Sequence, residues 1–364
     1  MKLLNLISTL VLALSYATTS FAAKSFAASN LYYAAGLTDS QQTVLLRGLQ
    51  SAGVKVLRVW LDGQPSEAKG THIDPFNSLQ GDSPDAWDDT VLERLDAFMV
   101  KAHSYGIKLL VSIHSYNALE SHTDFYGKWY GTGYFYTDSN AIAYFKARIA
   151  HVLGHVNPHS GKTWAQSSEY IFAFEAQNEA MHQQENPSAL TSWQCTVAQA
   201  IKDHLCGSSS PILVTTGGGS YLDNSLLDPY FNCAALDVLA IHAYGPGDFD
   251  TAKLANYVTK TRNAGKKLIM QEWGACYTDA PNQNCNGGSP VPESVRDENI
   301  RRWAASIDAA GIPWFYWQIL PNADPHYGWD YEVGINDSNW EALKAAGRAA
   351  GRAEGAFDFD RWLL

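Results

Sequence analysis

The sequence predicts a (β/α)8 barrel, in which eight parallel strands form a closed sheet inside a ring of helices. Eight short apolar, β-branched runs recur along the chain, and most are followed by a stretch with helical character. The runs are continuous rather than alternating, as is typical of strands buried on both faces of a parallel sheet. Glycine stands at the expected helix C-cap before several runs, at positions 53, 106, 265 and 311. This alternation, over this length of chain, favours the barrel.

The elements follow in a regular order. The predicted strands cover residues 31–35, 54–60, 107–113, 170–174, 211–215, 237–241, 267–271 and 312–317. The predicted helices cover residues 39–52, 88–105, 139–154, 188–205, 250–264, 293–310 and 338–350, and the 217–232 stretch has room for a short helix at most. An open doubly wound sheet is the alternative. However, the sequence contains neither GxGxxG nor GxxxxGK followed by Ser or Thr, so the usual nucleotide-binding loops are missing.

Residues 1–22 have the pattern of a secretory signal peptide. Lys2 precedes a short apolar run, and small residues precede the expected cleavage after Ala22. The run is shorter than the ~20 apolar residues that span a bilayer. We therefore expect a secreted, extracellular protein in which residues 23–364 form one domain. The chain has a net charge of −11, which disfavours nucleic acid and anionic membranes as partners. A monomer is expected.

All five cysteines lie in the second half of the chain, at 195, 206, 233, 276 and 285. An exported protein meets an oxidising environment, so we expect disulfides, and the odd number leaves one thiol over. Cys276 and Cys285 bracket a polar loop that they could close. Cys195 and Cys206 lie about 16 Å apart on one predicted helix, which is too far for a bridge. Cys206 could instead pair with Cys233.

Polar and aromatic residues stand at the ends of the predicted strands. In a (β/α)8 barrel these ends build the active site. The residues concerned are Arg58, His114, Asn178 with Glu179, His242 with Tyr244, Glu272 and Trp317. Any one of them could be a structural group. A barrel that needed only stability would gain nothing from all of them together.

Two carboxylates stand out among these residues. Glu179 and Glu272 follow the fourth and seventh runs, which face each other across an eight-stranded barrel. Their side chains could therefore converge over its mouth. Carboxyl groups about 5–5.5 Å apart suit a retaining glycoside hydrolase, whereas a gap of about 6.5–9.5 Å leaves room for water and gives inversion. The sequence leaves this distance open.

The order LRVW, SIH, QNE, IHAY, QEWG and FYWQ resembles glycoside hydrolase family 5, of the retaining (β/α)8-barrel clan, over nearly the whole chain after residue 22. The resemblance implies that Glu179 is the general acid/base and Glu272 the nucleophile. It implies roles in binding sugar or in ordering the two carboxylates for Arg58, His114, Asn178, His242, Tyr244 and Trp317. Where the family often has Asn-Glu-Pro, this chain has Ala180 after the Glu.

Other kinds of chemistry find less support in the sequence. Glu175 lies inside a strand and is expected to be a buried partner, while Asp62 and Glu120 lie on loops that could touch sugar. HExxH and GxSxG are both absent, so neither a metalloprotease nor a serine hydrolase elbow is indicated. We expect neither a metal nor a cofactor, because two carboxylates supply both proton and nucleophile.

The resemblance implies a β-linked oligo- or polysaccharide as the substrate, and aromatic residues at the barrel mouth could stack on its sugars. Trp60 and Trp273, at or near strand ends, are expected to bind it. Further candidates on the loops are Trp129, Tyr130, Tyr134, Tyr136, Trp329 and Tyr331. The segment FYGKWYGTGYFY, within the loop 115–138, could wall a cleft.

The choice of substrate depends on the resemblance alone. The LRVW and EAQNEA segments and the cysteine-flanked loop after Glu272 most resemble the fungal β-mannanases of the family, so we predict an endo-β-1,4-mannanase. A β-glucanase acting on 1,3-, 1,4- or 1,6-linkages and an exo-acting β-glycosidase are the alternatives. A non-catalytic carbohydrate-binding barrel is the alternative of a different class.

Overall fold

A closed barrel of parallel strands forms the centre of the protein. The computed structural model describes residues 23–182, 185–207, 211–281 and 284–364, so the expected signal peptide lies outside the described residues. Within them, eight parallel strands close into one barrel, which confirms the predicted fold class. The strands are β1 (Ala27–Asn30), β2 (Val54–Trp60), β3 (Lys108–Ser112), β4 (Ile171–Glu175), β5 (Leu213–Thr215), β6 (Val238–Ala243), β7 (Lys267–Trp273) and β8 (Trp314–Tyr316). β1 pairs with both β2 and β8, which closes the sheet.

The long helices follow the predicted order, and no predicted bound differs from the observed one by more than two residues. They are α1 (Asp39–Ser51), α2 (Thr90–Ser104), α3 (Ser139–Gly154), α4 (Pro187–Gly207), α5 (Thr251–Asn263), α6 (Glu293–Ala309) and α7 (Trp340–Ala350). Local chemistry explains several ends. Thr38 and Gln41 form a capping box at the start of α1, and the Asp138 side chain caps α3. Gly53 and Gly106 have φ of 77° and 79°, as expected for C-cap positions.

Short elements fill the connections. The 217–232 stretch holds only the turns of helix Leu222–Ser225 and Asp228–Asn232, as predicted. The loop 115–138 contains three short helices, Tyr116–Glu120, Phe125–Trp129 and Gly131–Tyr134. Single 3-10 turns occur at Ala34–Gly36, Trp164–Gln166, Pro246–Phe249 and Asp360–Trp362. Two-stranded ribbons pair Glu67–Ala68 with Thr71–His72, Val156–Asn157 with Lys162–Thr163, and Ile319–Leu320 with Val333–Gly334.

The first strand was predicted at the wrong place. The expected run 31–35 lies just after β1 and leads into the 3-10 turn Ala34–Gly36. β1 itself reads Ala-Ala-Ser-Asn and is completely buried. Small and polar residues give no hydrophobic signal, although they fit where a strand is covered on both faces. Leu31 and Tyr33 supplied the signal, and both are buried in the core without being in the strand.

Two disulfides are present among the described residues. Cys276 pairs with Cys285, with Cα atoms 5.4 Å apart, so this expectation is confirmed. The expected pairing of Cys206 with Cys233 is wrong, because Cys233 pairs with Cys195 at a Cα separation of 5.9 Å. The reason is how α4 packs. The short helix Asp228–Asn232, which precedes Cys233, contacts α4, and Cys195 in the middle of α4 lies beside Cys233, whereas Cys206 lies at the far end of α4.

The amino-terminal end of the barrel is closed by the last residues of the chain. Phe359 is fully buried, with its ring centroid 5.5 Å from Phe26 and 5.8 Å from Phe172. The amide of Gly355 donates to the carbonyl of Ala23, so both ends of the described chain meet at this face. The functional residues predicted from the sequence therefore lie at the opposite end. None of the described helices combines the length and apolar character needed to cross a bilayer.

Candidate active site

The carboxyl ends of the strands bring the predicted residues together. Arg58 lies near the end of β2, and Glu272 lies near the end of β7. Asn178 and Glu179 follow β4. His242 on β6 is in register with Glu272 on the neighbouring strand.

Glu272 is held by donors on both of its oxygens. The guanidinium Nη1 of Arg58 donates to Oε1 at 2.6 Å, and the phenol of Tyr244 donates to Oε2 at 2.8 Å. Burial raises the pKa of Glu272, whereas the positive charges of His242 and Arg58 oppose that rise. A fixed guanidinium and an O–H donor stabilise the ionised carboxylate and aim it. This is the environment that a carboxylate nucleophile requires.

Glu179 is held by two imidazoles. Its Oε1 accepts from Nδ1 of His242 at 2.9 Å, and its Oε2 accepts from Nδ1 of His182 at 3.2 Å. Burial raises the pKa of Glu179, but the hydrogen bonds from His182 and His242 outweigh it and lower the pKa to about 2 in the free protein. The residue has a φ of 48°, a conformation uncommon outside glycine and found at functional sites.

His242 lies between the two carboxylates, and its imidazole is the positively charged group that both of them face. Its Nδ1 is 2.9 Å from Glu179 and 3.5 Å from Glu272. Its Nε2 faces the carbonyl oxygen of the Gln271 side chain at 3.1 Å, while the amide nitrogen of Gln271 donates to Glu175. Both ring nitrogens thus face acceptors, so the doubly protonated imidazolium satisfies them. Burial lowers the pKa of His242, but Glu272 and Glu179 raise it above the ordinary value overall.

A buried ion pair supports this arrangement from below. Glu175 is fully buried, as expected, and its two oxygens accept from Nε and Nη2 of Arg58 at 3.0 and 2.6 Å. Nη2 also donates to Oδ1 of Asn178 at 2.7 Å. Arg58 is itself inaccessible, so it acts through Glu272 and Asn178 rather than by touching substrate. Because Oδ1 of Asn178 is used, its amide nitrogen is the end that can reach a sugar hydroxyl.

The two carboxylates lie close together at the mouth of the barrel. One oxygen of Glu179 and one of Glu272 lie within 4.8 Å of each other and of a His242 nitrogen. Carboxyl groups about 5–5.5 Å apart belong to retaining glycosidases, and the wider gap of about 6.5–9.5 Å belongs to inverting ones. The geometry therefore fits double displacement.

An aromatic wall lies beside the carboxylates. Trp317 is partly exposed, stacks on Tyr32 with ring centroids 6.2 Å apart and meets Trp60 edge-on at 5.7 Å. The Arg58 guanidinium lies 4.2 Å from the centre of the Trp60 ring, so Trp60 is largely covered. Tyr331 packs on Tyr244 at 4.6 Å. Trp317 is therefore the residue of this wall with a face open to a sugar ring.

Trp273 does not reach the cleft, which corrects that expectation. It is fully buried, and its ring packs against Phe249, Trp314 and Tyr316. Successive residues of a strand point to opposite faces of the sheet. Since Glu272 points toward the barrel axis, Trp273 must point outward to the helix layer.

His114 is also fully buried, so the expectation that it contacts sugar is corrected. Its Nε2 donates to Asp124 at 2.7 Å, and its Nδ1 accepts from the Gln177 amide at 2.8 Å. The Gln177 oxygen accepts from the Tyr136 hydroxyl at 2.7 Å, which in turn accepts from the amide of Met181 at 2.6 Å. This chain of hydrogen bonds braces the backbone on both sides of Glu179.

The remaining sequence candidates divide between rim and core. Tyr136 is buried, whereas Trp129, Tyr134 and Trp329 are 69%, 73% and 59% exposed. Tyr130 is half-buried, Glu120 is exposed, and Asp62 is buried with a pKa raised by that burial. Sequence reasoning missed His182, Gln271 and Gln177. Each directly neighbours or closely follows a predicted residue, which is the signal that could have found them.

A (β/α)8 barrel with two facing glutamates at its carboxyl end defines a class of retaining glycosidases. Comparison with known proteins agrees. The profile of the family described as Cellulase (glycosyl hydrolase family 5) matches residues 17–323. The chain belongs to this family and is a glycosidase.

Relatives of known name are distant but cover most of the chain. Mannan endo-1,4-beta-mannosidase A of Aspergillus aculeatus is 24% identical over 72% of this chain and 74% of its own length. Mannan endo-1,4-beta-mannosidase 5 of Solanum lycopersicum is 26% identical over 81% and 76%. Among solved structures, the endo-1,4-beta-mannanase of Rhizomucor miehei has a TM-score of 0.70 and 19% identity, covering 90% of this chain and 95% of that one. An endo-beta-1,4-mannanase of Thermotoga petrophila has a TM-score of 0.65 and 18% identity, covering 90% and 77%.

Proposed function

We propose that the protein is a secreted endo-β-1,4-mannanase with Glu272 as nucleophile and Glu179 as general acid/base. The observation that carries the chemistry is the close approach of the two carboxylates, which have oxygens within 4.8 Å of each other. Arg58 and Tyr244 hold Glu272, and two imidazoles hold Glu179. The choice of mannan is supported by the names of the relatives. Secretion is supported by the signal-peptide pattern of residues 1–22 and by the two disulfides.

In the first step, Glu272 attacks the anomeric carbon and the bond to the leaving oxygen breaks. Glu179 gives its proton to that oxygen, so the departing sugar leaves as a neutral alcohol. In the free protein the hydrogen bonds from the two imidazoles lower the pKa of Glu179 to about 2, so the proton that Glu179 donates reaches it from His242 or His182. As Glu272 loses its negative charge to the new bond, the imidazolium of His242 loses one of its two anionic neighbours.

In the second step, water replaces the departed sugar. Glu179, now ionised, removes a proton from this water, which attacks the anomeric carbon and releases Glu272. Two inversions give net retention. Tyr244 donates to Oε2 of Glu272 at 2.8 Å and, together with Arg58 on Oε1, fixes the orientation of the carboxylate for attack. Trp317 offers an apolar face to the C–H side of the sugar, and the Asn178 amide is placed for a hydroxyl next to the anomeric centre.

The first experiment is a product-resolved assay of the purified protein on mannan, glucomannan and β-1,3-, β-1,4- and β-1,6-glucans. We expect manno-oligosaccharides of mixed length. Glu272→Ala should reduce turnover by at least about 10⁴-fold, because the covalent intermediate cannot form. External azide should restore part of the activity and give a product of inverted configuration. Glu179→Ala should slow poor leaving groups far more than good ones.

Glu298→Ala is the control, because this glutamate is exposed on α6 and does not belong to the arrangement at the carboxyl ends of the strands. It should keep wild-type activity. If the wild type cleaves a glucan and Glu272→Ala does not, the proposed mechanism stands but mannan is not the substrate. Full activity of Glu272→Ala would overturn the assignment of the nucleophile.

A further inference from the structure

A second group of ionisable side chains lies in the loop that follows β8. Asp324, His326 and Asp330 each offer one ligand atom, and these atoms lie within 4.8 Å of one another. Nδ1 of His326 is 2.9 Å from Oδ2 of Asp330 and 3.4 Å from Oδ2 of Asp324. None of the three residues belongs to the catalytic arrangement. The aspartates are buried, while the histidine is about one-third exposed.

Two buried carboxylate oxygens in this group receive no hydrogen bond from an N–H or alcohol donor in the part of the chain that is described, and only a proton shared between the two aspartates could serve them. They are Oδ2 of Asp324 and Oδ1 of Asp330. An unsatisfied buried carboxylate oxygen is costly, and such groups are normally paired or coordinate metals. The single N–H of His326 Nδ1 donates to Asp330 and cannot satisfy both aspartates.

The charges around the group do not balance either. Two more carboxyl groups lie close to the three ligands. Asp337 accepts a hydrogen bond from the amide of Asp324, and Glu332 follows Asp330 by two residues. The permanent cations that face them among the described residues are Lys69, 2.9 Å from Glu332, and Arg296, which donates to the carbonyl of Glu332. Four carboxyl groups thus face two permanent cations. Burial and the neighbouring Asp324 raise the pKa of Asp330 to about 8, so a proton on this pair offsets part of the excess negative charge, and a divalent cation would displace that proton.

We propose that Asp324, His326 and Asp330 form a structural site for a divalent cation of the zinc type. An imidazole nitrogen with two carboxylate oxygens suits Zn²⁺, whereas Ca²⁺ and Mg²⁺ prefer oxygen ligands alone. Tetrahedral bonds of about 2.1 Å place ligand atoms about 3.4 Å apart. The contacts of 2.9 and 3.4 Å around Nδ1 need little adjustment. The cation replaces the proton on Nδ1, and water completes the coordination.

The position of the site explains what the cation would stabilise. The His326 ring stacks on Tyr277 with centroids 3.5 Å apart, and the amide of Tyr277 donates to the carbonyl of Asp330. The amide of Asp330 donates to the carbonyl of Cys285. The cation would therefore join the loop after β8 to the disulfide-closed loop after β7, beside the wall that carries Tyr331.

The test is zinc binding by the purified protein after chelator treatment and dialysis. Calorimetric titration with ZnCl2 should show one saturable site, and thermal unfolding with excess ZnCl2 should show a Tm raised by several degrees. CaCl2 or MgCl2 at the same concentration should raise the Tm less. Asp330→Asn and His326→Gln should each lose the binding and the Tm shift, and His326→Gln changes a side chain that is about one-third exposed.

Two controls separate this site from other places where zinc could bind. His72→Gln removes an exposed histidine that is paired with Glu67 and should leave the zinc response unchanged. Glu272→Gln alters the catalytic group, whose ligand atoms are also close together, and should leave it unchanged as well. The proposal is overturned if wild type shows no saturable binding, if His326→Gln still binds, or if Glu272→Gln alone abolishes binding. These readouts do not depend on which polymer the enzyme cleaves.

Discussion

At the scale of single residues, Glu179, the proposed acid/base, depends on a neighbour that the sequence did not reveal. His182 donates to Glu179 at 3.2 Å, contacts the hydroxyl of Ser220 at 2.5 Å and stacks on Tyr116. Glu179 raises the pKa of His182, and His182 in turn lowers that of Glu179. We infer that His182 is a positioning residue that lowers the proton affinity of Glu179.

His182→Ala should therefore shift the pH profile. Loss of the hydrogen bond and of the positive charge raises the pKa of Glu179, so the acid stays protonated at higher pH. We expect the basic limb of kcat/KM to move upward by about one pH unit for substrates with poor leaving groups. His182→Gln, which keeps an N–H donor, should restore part of the wild-type profile. An unchanged basic limb in His182→Ala would contradict the role.

The residue scale also shows where sequence reasoning about the site was limited. Strand ends were sufficient to find Glu179, Glu272 and Arg58, because parallel strands deliver their ends to one face. Direction was harder, since Trp273 and His114 also stand at strand ends yet point into packed layers. Side chains one residue apart in a strand point to opposite faces of the sheet. A fully apolar run has no alternation of polar and apolar residues, so its sequence does not show which residues point toward the barrel axis.

At the scale of elements, helix bounds were predictable because caps and glycines mark them, whereas β1 was not, because Ala-Ala-Ser-Asn resembles a loop. The zinc-type group was also missed. The segment Asp-Pro-His-Tyr-Gly-Trp-Asp spaces its ligands two and four residues apart, but no paired His or Cys motif marks it. Only the folded loop shows that the oxygens converge.

A titratable contact between α6 and β8 affects stability. Asp308 accepts from the Trp314 indole at 3.0 Å, and burial raises its pKa to about 7. An unfolded aspartate titrates near 3.9. The protonated form is therefore favoured by folding, so the stabilisation is complete below about pH 4 and is lost as pH rises through about 7.

Asp308→Asn should remove this dependence while keeping an acceptor for the indole. We expect the variant to be more stable than wild type by about 1–2 kcal/mol at pH 8 and to show little difference at pH 4. Denaturant unfolding of the variant and the wild type at pH 8 and pH 4 measures this difference in the free energy of unfolding. Glu298→Gln, an exposed acid on the same helix, is the matched control and should change neither value. Equal stability of Asp308→Asn and wild type at pH 8 would refute the role of burial.

At the scale of the whole molecule, stability and catalysis occupy opposite ends of the barrel. Phe359, from the last segment of the chain, fills the amino-terminal end against Phe26 and Phe172. Phe359→Ala should lower the free energy of unfolding by about 3–5 kcal/mol, because it removes a fully buried ring. The kcat should stay unchanged at temperatures where the variant is folded.

Val44→Ala is the control for this substitution, because Val44 is exposed on α1 and should change stability by less than about 0.5 kcal/mol. Denaturant unfolding and initial rates on the same samples separate the two effects. A fall in kcat at low temperature in Phe359→Ala would show that the two ends are coupled.

The meeting of both ends of the described chain at the closed face has a practical consequence. The amide of Gly355 binds the carbonyl of Ala23, and Nζ of Lys55, at the start of β2, donates to the carbonyl of Leu364. A fusion tag, a surface linker or a bead attached beyond either end is therefore directed away from the cleft. The immobilised enzyme would present its open mouth to a bulky, insoluble polymer, whichever end carried the tether.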